Sequence, residues 1–270
     1  MYPVLVELGR FPVYTYGVLL AAAYLLGLLL AVRRAEARGL DGARVTDLGI
    51  WIIASALVGA KLLMLVVEYD YYRRNPGELL SIVRSGGVFY GGLLLAVPVA
   101  VWYVRRHALP VWVTGDAIAT GIALGQIVGR MGCLMAGCCY GREAHVPWAI
   151  TFTNPLAAEY VGTPLDVPLH PTQIYEAVAV LAILVVLLAT ERRWRPFAGR
   201  TFWLYILLYS AARFAIEFFR GDPRGAVGPL STSQFIAVLL VPVSLYMLFR
   251  LARAPRDPLP RAAARRTRAA

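Results

Sequence analysis

The stretch that decides the fold is LGIWIIASALVGAKLLMLVV, residues 48–67, in which Lys61 is the only charged residue. About 20 consecutive apolar residues is the length that an α-helix needs to cross the roughly 30 Å hydrocarbon core of a bilayer. Lipid offers no partners to backbone polar groups, so a segment that spans it in this way is a helix. The stretch therefore predicts a membrane-spanning helix.

The same pattern recurs along the whole chain. The chain is 59% hydrophobic and 16% charged, whereas ordinary soluble domains contain about 25% charged residues. We therefore expect an all-α, polytopic membrane protein in which residues 1–253 form one seven-helix domain and residues 254–270 form a basic, disordered tail. The seven predicted spans are residues 13–32, 46–68, 87–104, 112–135, 173–190, 201–219 and 233–251.

The distribution of arginines predicts the orientation of these spans. Basic residues collect on the cytoplasmic side of membrane proteins. Most arginines of this chain follow the first, third and fifth spans or lie in the tail. We therefore expect the N-terminus on the outer side of the membrane and the C-terminus on the cytoplasmic side. The net charge of +11 then reflects this bias and attraction to anionic lipids, and it predicts no nucleic-acid partner.

Three basic residues interrupt otherwise apolar runs: Lys61, Arg130 and Arg213. A charge at the bilayer centre costs about 2.5–3.5 kcal/mol on insertion scales, so these residues indicate an anionic partner. Simpler interpretations stay open. Arg213 and Glu217 stand four residues apart on one helical face and could neutralise each other, and Lys61 could extend towards the headgroups. A transporter or lipid-binding protein would also carry such charges.

The unusual polar and glycine-rich features all fall near the outer ends of the predicted helices. This agreement predicts one functional site that faces the outer leaflet. Asp116 lies at the opposite end of its span and is interpreted as a structural or interfacial acid. The features at the outer ends are Tyr16, Lys61, Gly86, Gly87, Tyr90, Gly91, Gly92, Arg130, Gly132, His170, Gln173, Tyr175, Glu176, Arg213, Glu217 and Arg220.

The cysteines of the chain lie together in GRMGCLMAGCCYGR, residues 129–142, as Cys133, Cys138 and Cys139. Four interpretations remain open at this point. They could bind zinc or copper together with His145 and His170, although adjacent cysteines rarely bind one metal. Cys133 and Cys138 could form a disulfide outside the cytoplasm, one cysteine could be a nucleophile, or all could be small side chains in a crowded turn.

These residues resemble the bacterial prolipoprotein diacylglyceryl transferase family. Residues 129–142 are similar to the family signature, in which Gly-Arg-x-Gly opens a glycine-rich segment that ends in Gly-Arg. Further similar motifs follow in the family's order across nearly the whole chain. They are Tyr16-Gly17, Gly59-Ala60-Lys61, Tyr90-Gly91-Gly92-Leu93, His170-Pro171-Thr172-Gln173-Ile174-Tyr175-Glu176 and Tyr209-x-x-x-Arg213-Phe214-x-x-Glu217-Phe218-x-Arg220.

The resemblance implies an enzyme that moves the diacylglyceryl group of phosphatidylglycerol onto the lipobox cysteine of a prelipoprotein signal peptide. Its partners are those two substrates and membrane lipids, and it implies no cofactor or metal. The implied catalytic residues are Arg130, Arg213, Glu217 and Tyr90. The implied substrate-binding residues are Tyr16, Lys61, Gly91, Gly92, Gly132, Gly141, His170, Gln173, Tyr209 and Arg220.

This chain departs from the family pattern at four positions. Cys133 stands where the family usually has Asn, and Cys138 where it has Glu. Tyr90 stands where a His is often found, and Lys61 replaces the more usual Arg. The alternatives are a divergent branch with the same reaction and a paralogue that acts on another lipid or thiol with redox or metal-binding cysteines.

Overall fold

The computed structural model describes residues 1–9, 11–83, 87–193, 197–222 and 225–253, so the predicted tail at 254–270 lies outside the described residues. The helices are α1 (Thr15–Glu36), α2 (Gly42–Val67), α3 (Tyr69–Arg74), α4 (Phe89–Arg106), α5 (Val111–Ala136), α6 (Pro155–Val161), α7 (Thr172–Arg193), α8 (Arg200–Glu217) and α9 (Thr232–Arg253), with a 3-10 helix at Pro76–Val83.

Each predicted span coincides with a helix, and the all-α expectation is confirmed in this respect. Among the described residues, five helices are long and apolar enough to cross a membrane: α1, α2, α5, α7 over Thr172–Glu191, and α9. The helices α4 and α8 have 18 residues each and are not among these five. The number of seven spans therefore stays a prediction.

Several helices expose large apolar side chains, as expected for a surface that faces lipid. On α9, Val238, Leu239, Leu245, Tyr246 and Phe249 are all more than two-fifths exposed. Soluble monomers rarely expose contiguous apolar surface of this kind. The exposed residues of α9 therefore agree with an environment of hydrocarbon rather than water.

Short strands accompany the helices and were not expected from the sequence. The strands are β1 (Val4–Leu8), β2 (Phe11–Tyr14), β3 (Ile150–Thr151), β4 (Pro168–Leu169), β5 (Ala226–Val227) and β6 (Leu230–Ser231). They pair in order as three two-stranded antiparallel sheets within the described chain. The first predicted span begins two residues too early, because Phe11–Tyr14 pairs with β1 and α1 starts at Thr15.

The segment between α5 and α7 also carries structure where the sequence predicted only a loop. The helix α6 begins after Asn154, whose side chain accepts a hydrogen bond from the backbone N–H of Leu156 at 3.0 Å. Pro155 occupies the first position of this helix, where its missing N–H costs nothing. The prediction missed α6 because a seven-residue helix leaves no clear hydrophobic period.

The chain divides into two compact units. One unit is Ala35–Thr114, and its helices α2 and α4 pack closely through glycines. A Cβ atom added at Gly59 or Gly91 would meet the backbone carbonyl oxygen of the other residue, and one at Gly92 would lie 2.8 Å from Ala56 O. Gly91 and Gly92, predicted to bind substrate, thus have a packing role in this unit.

The other unit comprises Met1–Arg34 and the described residues from Gly115 onward. Its core is a cluster in which buried residues of α5, α7 and α8 meet. Ala119 and Ala123 of α5 contact this cluster, as do Val180 and Leu187 of α7 and Tyr205 of α8. This core fixes the relative positions of the three helices, which also carry the polar residues Arg130, Glu176 and Arg213.

Asp116 connects two of these helices at the end distant from those polar residues. Its carboxylate is buried and accepts hydrogen bonds from the backbone N–H groups of Gly199 at 2.8 Å and Phe202 at 2.9 Å. The first turn of α8 has no side-chain cap of its own, so Asp116 satisfies donors that a helix N-terminus otherwise leaves unpaired. The interpretation of Asp116 as a structural acid is confirmed.

Replacing Asp116 by alanine should lower the free energy of unfolding by about 1–3 kcal/mol, because two buried N–H groups lose their acceptor. Asn should cost less, since it keeps one acceptor oxygen. Unfolding in detergent, followed by circular dichroism against temperature, measures both changes. A melting curve of the alanine variant that coincides with that of the parent protein would contradict this role.

Candidate active site

A buried carboxylate, Glu176 near the start of α7, lies at the centre of the polar residues. Arg130 of α5 places its NH2 group 2.8 Å from Glu176 Oε1. Arg213 of α8 places its NH1 group 3.7 Å from Glu176 Oε2. The Glu176 side chain is only 1% exposed. A carboxylate so far from water is stable in its charged form only with partners of this kind, so Glu176 holds the two guanidinium groups together.

Arg213 also pairs with Glu217 on its own helix. The distance from Arg213 NH2 to Glu217 Oε2 is 2.6 Å, and the same NH2 group donates to Ser233 Oγ at 3.2 Å. The predicted i,i+4 pair is therefore confirmed, but it accounts for only part of the environment of Arg213. The NH1 group of Arg213 is buried and, besides its ion pair with Glu176 at 3.7 Å, makes no hydrogen bond within the described residues, so it retains donor capacity for an anionic group.

Neutral side chains orient the charge cluster, which consists of Arg130, Glu176, Arg213 and Glu217. Tyr209 donates its hydroxyl to Glu176 Oε1 at 2.8 Å, and Gln126 donates its amide to the same oxygen at 3.1 Å. Tyr205 in turn donates to Gln126 Oε1 at 2.8 Å. Each added hydrogen bond satisfies part of the acceptor capacity of the buried carboxylate. The result is a pair of arginines whose positions are fixed before any ligand arrives.

A polar cleft of about 340 Å³ lies beside the charge cluster. This volume is at the lower end of the range of small-molecule sites. Within the cleft, Arg220 forms a two-pronged contact with Asp222 at 2.9 and 2.8 Å. Glu217 lines both the cleft and the charge cluster, and therefore joins them. The cleft is lined by Arg142, Glu217, Phe218, Arg220, Asp222, Pro229, Ser231 and Gln234.

Gly141 lies where three chain segments meet at the edge of this cleft. Its backbone N–H donates to His170 O at 3.0 Å, and the N–H of Arg142 donates to Phe219 O at 2.9 Å. A Cβ atom at position 141 would lie 2.7 Å from Phe219 O. Only glycine permits this approach without displacement of the backbone, so the role of Gly141 in this structure is to join the segments that carry Arg142 and Arg220.

The three thiols converge in a single cluster next to the arginines. The sulfur atoms of Cys133, Cys138 and Cys139 all lie within 4.8 Å of one another, and all three cysteines are free thiols. Arg130 NH1 lies 3.9 Å from Cys133 Sγ. Hydrogen bonds from the two neighbouring thiols lower the pKa of Cys139, and nearby guanidinium charges add to the effect. This cluster is the metal-binding candidate among the described residues.

Hydrogen bonds from two side chains of α7 to backbone carbonyl oxygens hold the loop that carries these thiols. Thr172 donates its hydroxyl to Cys139 O at 2.6 Å, and Gln173 donates its amide to Cys138 O at 2.7 Å. Gln173 is fully buried, and its Oε1 atom has no hydrogen-bond partner within the described residues. Gln173 thus positions the thiol loop and presents one buried acceptor.

Two further predicted residues lie in this same unit. The ring of Tyr16 packs against Gly132, where an added Cβ would lie 3.3 Å from Tyr16 Cδ2. His170 places Nδ1 3.0 Å from the hydroxyl of Tyr175, which also accepts a hydrogen bond from Trp148 at 2.7 Å. Tyr16 therefore lies next to Gly132, the residue before Cys133. His170 belongs to a group of aromatic side chains with Tyr175 and Trp148.

Four predicted site residues belong to the other unit, Ala35–Thr114. Besides the packing glycines Gly91 and Gly92, these are Lys61 and Tyr90. Lys61 donates from Nζ to Ile82 O at 2.7 Å, so part of its hydrogen-bonding capacity is used by the 3-10 helix of its own unit. The ring of Tyr90 makes an edge contact with Phe89 at a centroid distance of 5.8 Å.

Sequence reasoning assigned no individual role to three residues that the structure brings into the site. Glu176 was named among the polar features at the outer helix ends, but its contact with both arginines was not predicted. Gln126 is a polar residue in the middle of an apolar span, which is a signal that could have identified it. Cys139 was named only as part of the cysteine group. The structure adds its position between Cys133, Cys138 and the arginines.

Comparison with known proteins identifies the family of this chain. The sequence profile of the family described as prolipoprotein diacylglyceryl transferase matches residues 3–250. The chain belongs to the prolipoprotein diacylglyceryl transferase family. A curated relative from Clostridium tetani, named phosphatidylglycerol--prolipoprotein diacylglyceryl transferase, is 34% identical over 92% of this chain and 96% of its own length.

Other curated members of the prolipoprotein diacylglyceryl transferase family show similar values. A Clostridium perfringens protein, phosphatidylglycerol--prolipoprotein diacylglyceryl transferase 2, is 32% identical over 88% of this chain and 91% of its own length. A Bacillus cereus protein, which has the same name as the Clostridium tetani relative, is 33% identical over 91% of this chain and 90% of its own length. The resemblance drawn from the motifs is confirmed, and this chain matches these relatives along nearly their full length.

Proposed function

We propose that the protein transfers the diacylglyceryl group of phosphatidylglycerol to the lipobox cysteine thiol of prelipoproteins, the first step of lipoprotein maturation. The observation that carries the proposal is the buried pair of guanidinium groups, Arg130 and Arg213, fixed on Glu176. Family membership and the names of the relatives support the same reaction.

The reaction requires that one carbon–sulfur bond forms as one carbon–oxygen bond breaks. The thiolate of the lipobox cysteine attacks the glyceryl carbon that carries the phosphate, and a thioether results. Glycerol phosphate leaves with the electron pair of the broken bond, and the thiol proton goes to a base or to solvent. Forked guanidinium donors suit the phosphodiester and stabilise the charge that grows on the departing phosphate.

The remaining predicted residues receive roles in this scheme. Glu217 positions Arg213 or accepts the thiol proton, and Tyr90 and Tyr16 donate hydrogen bonds to the headgroup. The cleft beside Arg220 has a volume suited to the glycerol phosphate end of the lipid. We assign the other substrate contacts to Lys61, Gly91, Gly92, Gly132, Gly141, His170, Gln173 and Tyr209.

The membrane arrangement is part of the proposal. The two 18-residue helices α4 and α8 complete seven spans within residues 1–253, with the N-terminus outside and the C-terminus in the cytoplasm. The protein then lies in the bacterial cytoplasmic membrane with its site towards the outer leaflet. Exported preproteins reach that leaflet, and phosphatidylglycerol enters the site from the surrounding lipid.

A direct assay tests the reaction. Purified protein in detergent micelles that contain phosphatidylglycerol is incubated with a synthetic lipobox peptide. Mass spectrometry then measures the mass of the peptide. We expect a mass increase of one diacylglyceryl group on the peptide cysteine and none on a matched peptide with Cys→Ser. Absence of the adduct from protein that melts cooperatively would reject the proposed reaction in favour of a paralogous activity.

A further inference from the structure

The thiol cluster is the part of the site that the reaction scheme above leaves without a role. Cys133, Cys138 and Cys139 are the only cysteines of the chain, and their sulfur atoms lie within 4.8 Å of one another. In a tetrahedral zinc site with Zn–S bonds of about 2.3 Å, the sulfurs are about 3.8 Å apart. Small side-chain rotations are therefore sufficient to bring the three sulfurs around one ion.

The backbone at this loop overcomes the usual obstacle to metal binding by adjacent cysteines. In an extended chain, neighbouring side chains point in opposite directions, so two adjacent thiols do not reach one ion. Here the backbone φ angles of Cys139 and Gly137 are 64° and 85°, which is a left-handed conformation. This turn brings the sulfur atoms of Cys138 and Cys139 to the same side of the loop as that of Cys133. A non-glycine residue in this conformation costs free energy, and the hydrogen bond from Thr172 to Cys139 O at 2.6 Å helps to hold it.

The surroundings of the thiols suit a negatively charged metal–thiolate group. A zinc ion bound by three thiolates carries one net negative charge. The guanidinium of Arg130 lies 3.9 Å from Cys133 Sγ, and that of Arg220 interacts with Cys139. Among the described residues the cluster supplies three ligands from protein, and zinc sites with three protein ligands keep a fourth position open for water or substrate.

We infer that Cys133, Cys138 and Cys139 bind a zinc ion whose fourth position takes the lipobox thiol of the substrate. This inference rests on the proposed transfer reaction. Coordination deprotonates a thiol outright, so zinc supplies the thiolate that the reaction requires. The short distance from Arg130 to Cys133 then places this thiolate next to the phosphodiester that Arg130 and Arg213 hold.

The bonds and charges balance without a change in the oxidation state of the metal. The lipobox thiol binds zinc and releases its proton to solvent. Its sulfur attacks the glyceryl carbon, the carbon–oxygen bond to phosphate breaks, and glycerol phosphate leaves with the electron pair. The neutral thioether is a poorer ligand than a thiolate, so it leaves zinc, and water or the next thiol takes its place.

The first measurement is the metal content of the purified full-length protein, determined by inductively coupled plasma mass spectrometry. We expect about one zinc per chain in the parent protein. Loss of a residue that merely supports a metal ligand lowers metal affinity by roughly 10- to 100-fold. The zinc affinity of each single variant, Cys133→Ser, Cys138→Ser and Cys139→Ser, should fall by at least that factor, because each variant loses a ligand. A parent protein that binds no zinc when supplied with it, or whose thiols titrate as a disulfide, would overturn the inference.

The second measurement tests the fourth position without reference to turnover. The protein is loaded with Co²⁺ in place of zinc, and its visible absorption is recorded as lipobox peptide is added. The cysteine peptide should alter the cobalt spectrum and add thiolate-to-cobalt absorption, whereas the matched serine peptide should not. An unchanged spectrum would show that the metal does not receive the substrate thiol, and would overturn the inference.

The third measurement separates this inference from the proposed reaction. A free thiol with a pKa near 8.5 is only about 3% ionised at pH 7, so removal of zinc by a chelator should lower transfer by up to about 30-fold, with recovery when zinc returns. Full transfer by metal-free protein would overturn the zinc role while the transferase assignment stands. If neither form transfers the lipid group, the proposed reaction fails, and the role of zinc in it fails too even where the metal binds.

Discussion

Replacing Arg130 by alanine should lower diacylglyceryl transfer by at least about 10²–10³-fold, the usual effect of removing one donor that stabilises transition-state charge. Arg130 and Arg213 form the buried cationic pair, and we propose that both hold the phosphodiester. Loss of one guanidinium leaves the developing phosphate charge with half of its donors. Initial rates of peptide modification in phosphatidylglycerol micelles measure the effect.

The Arg130→Ala protein should nevertheless stay folded. Removing one partner of a buried ion pair typically costs about 3–5 kcal/mol because a charge is left unpaired. Here Glu176 keeps Arg213 at 3.7 Å and the hydroxyl of Tyr209 at 2.8 Å, so its charge is still compensated. The melting temperature in detergent should fall, but the cooperative transition should remain.

Two variants serve as controls for the role of Arg130. Arg130→Lys keeps the charge but loses the planar fork, so it should retain part of the activity and most of the stability. Arg33→Ala removes an exposed arginine from α1 and should change neither. Turnover of Arg130→Ala close to that of the parent protein would contradict the proposed contact between Arg130 and phosphate.

Replacing Glu176 by glutamine should have the largest effect on stability. The substitution keeps the size of the side chain but removes the charge that faces Arg130 at 2.8 Å and Arg213 at 3.7 Å. Glu217 alone then offsets two buried guanidinium groups. We expect a loss of about 3–5 kcal/mol in the free energy of unfolding and a loss of transfer, because the arginines are no longer held in place.

A double-variant cycle distinguishes this role from general damage to the fold. If Glu176 and Arg130 act as a pair, the combined variant Arg130→Ala/Glu176→Gln should be less destabilised than the sum of the single variants, because each single change already breaks the contact between them and that loss is counted only once in the double variant. Strictly additive effects would contradict the pairing. Glu159→Gln, an exposed substitution on α6, is the matched control and should leave the melting temperature unchanged.

The sequence was a good guide to the helices because membrane insertion depends on local composition. The apolar run at 48–67 predicted α2, and the structure places α2 at Gly42–Val67. The helix extends beyond the apolar run because the Asp41 carboxylate caps its first turn by accepting a hydrogen bond from the backbone N–H of Ala43 at 2.9 Å. Hydrophobicity alone does not report caps of this kind, so the predicted ends are less accurate than the predicted centres.

The short strands were harder to predict because they depend on partners distant in sequence. β3 and β4 have two residues each and pair across the segment that contains α6. Neither strand has a pattern long enough to show a period of two. The bridge between Gly141 and Arg220 likewise joins segments that no local signal connects.

In the candidate site, too, some features were predictable from the sequence and others were not. The intramembrane charges Arg130 and Arg213 were evident from the cost of placing a cation in an apolar run. Their common partner was not evident, because Glu176 lies on a different helix from either arginine and no sequence spacing connects it to them. Only the packing of α5, α7 and α8 showed that one carboxylate contacts both arginines.

The sequence by itself determined that this chain is a helical membrane protein, which helices carry buried charge, and, through its motifs, the family to which it belongs. These properties follow from composition and spacing, which act locally. The tertiary structure alone decided that Glu176 joins the two arginines and that three thiols converge beside them. Such contacts depend on the relative positions of helices and on a left-handed turn at Cys139, and long-range packing sets both.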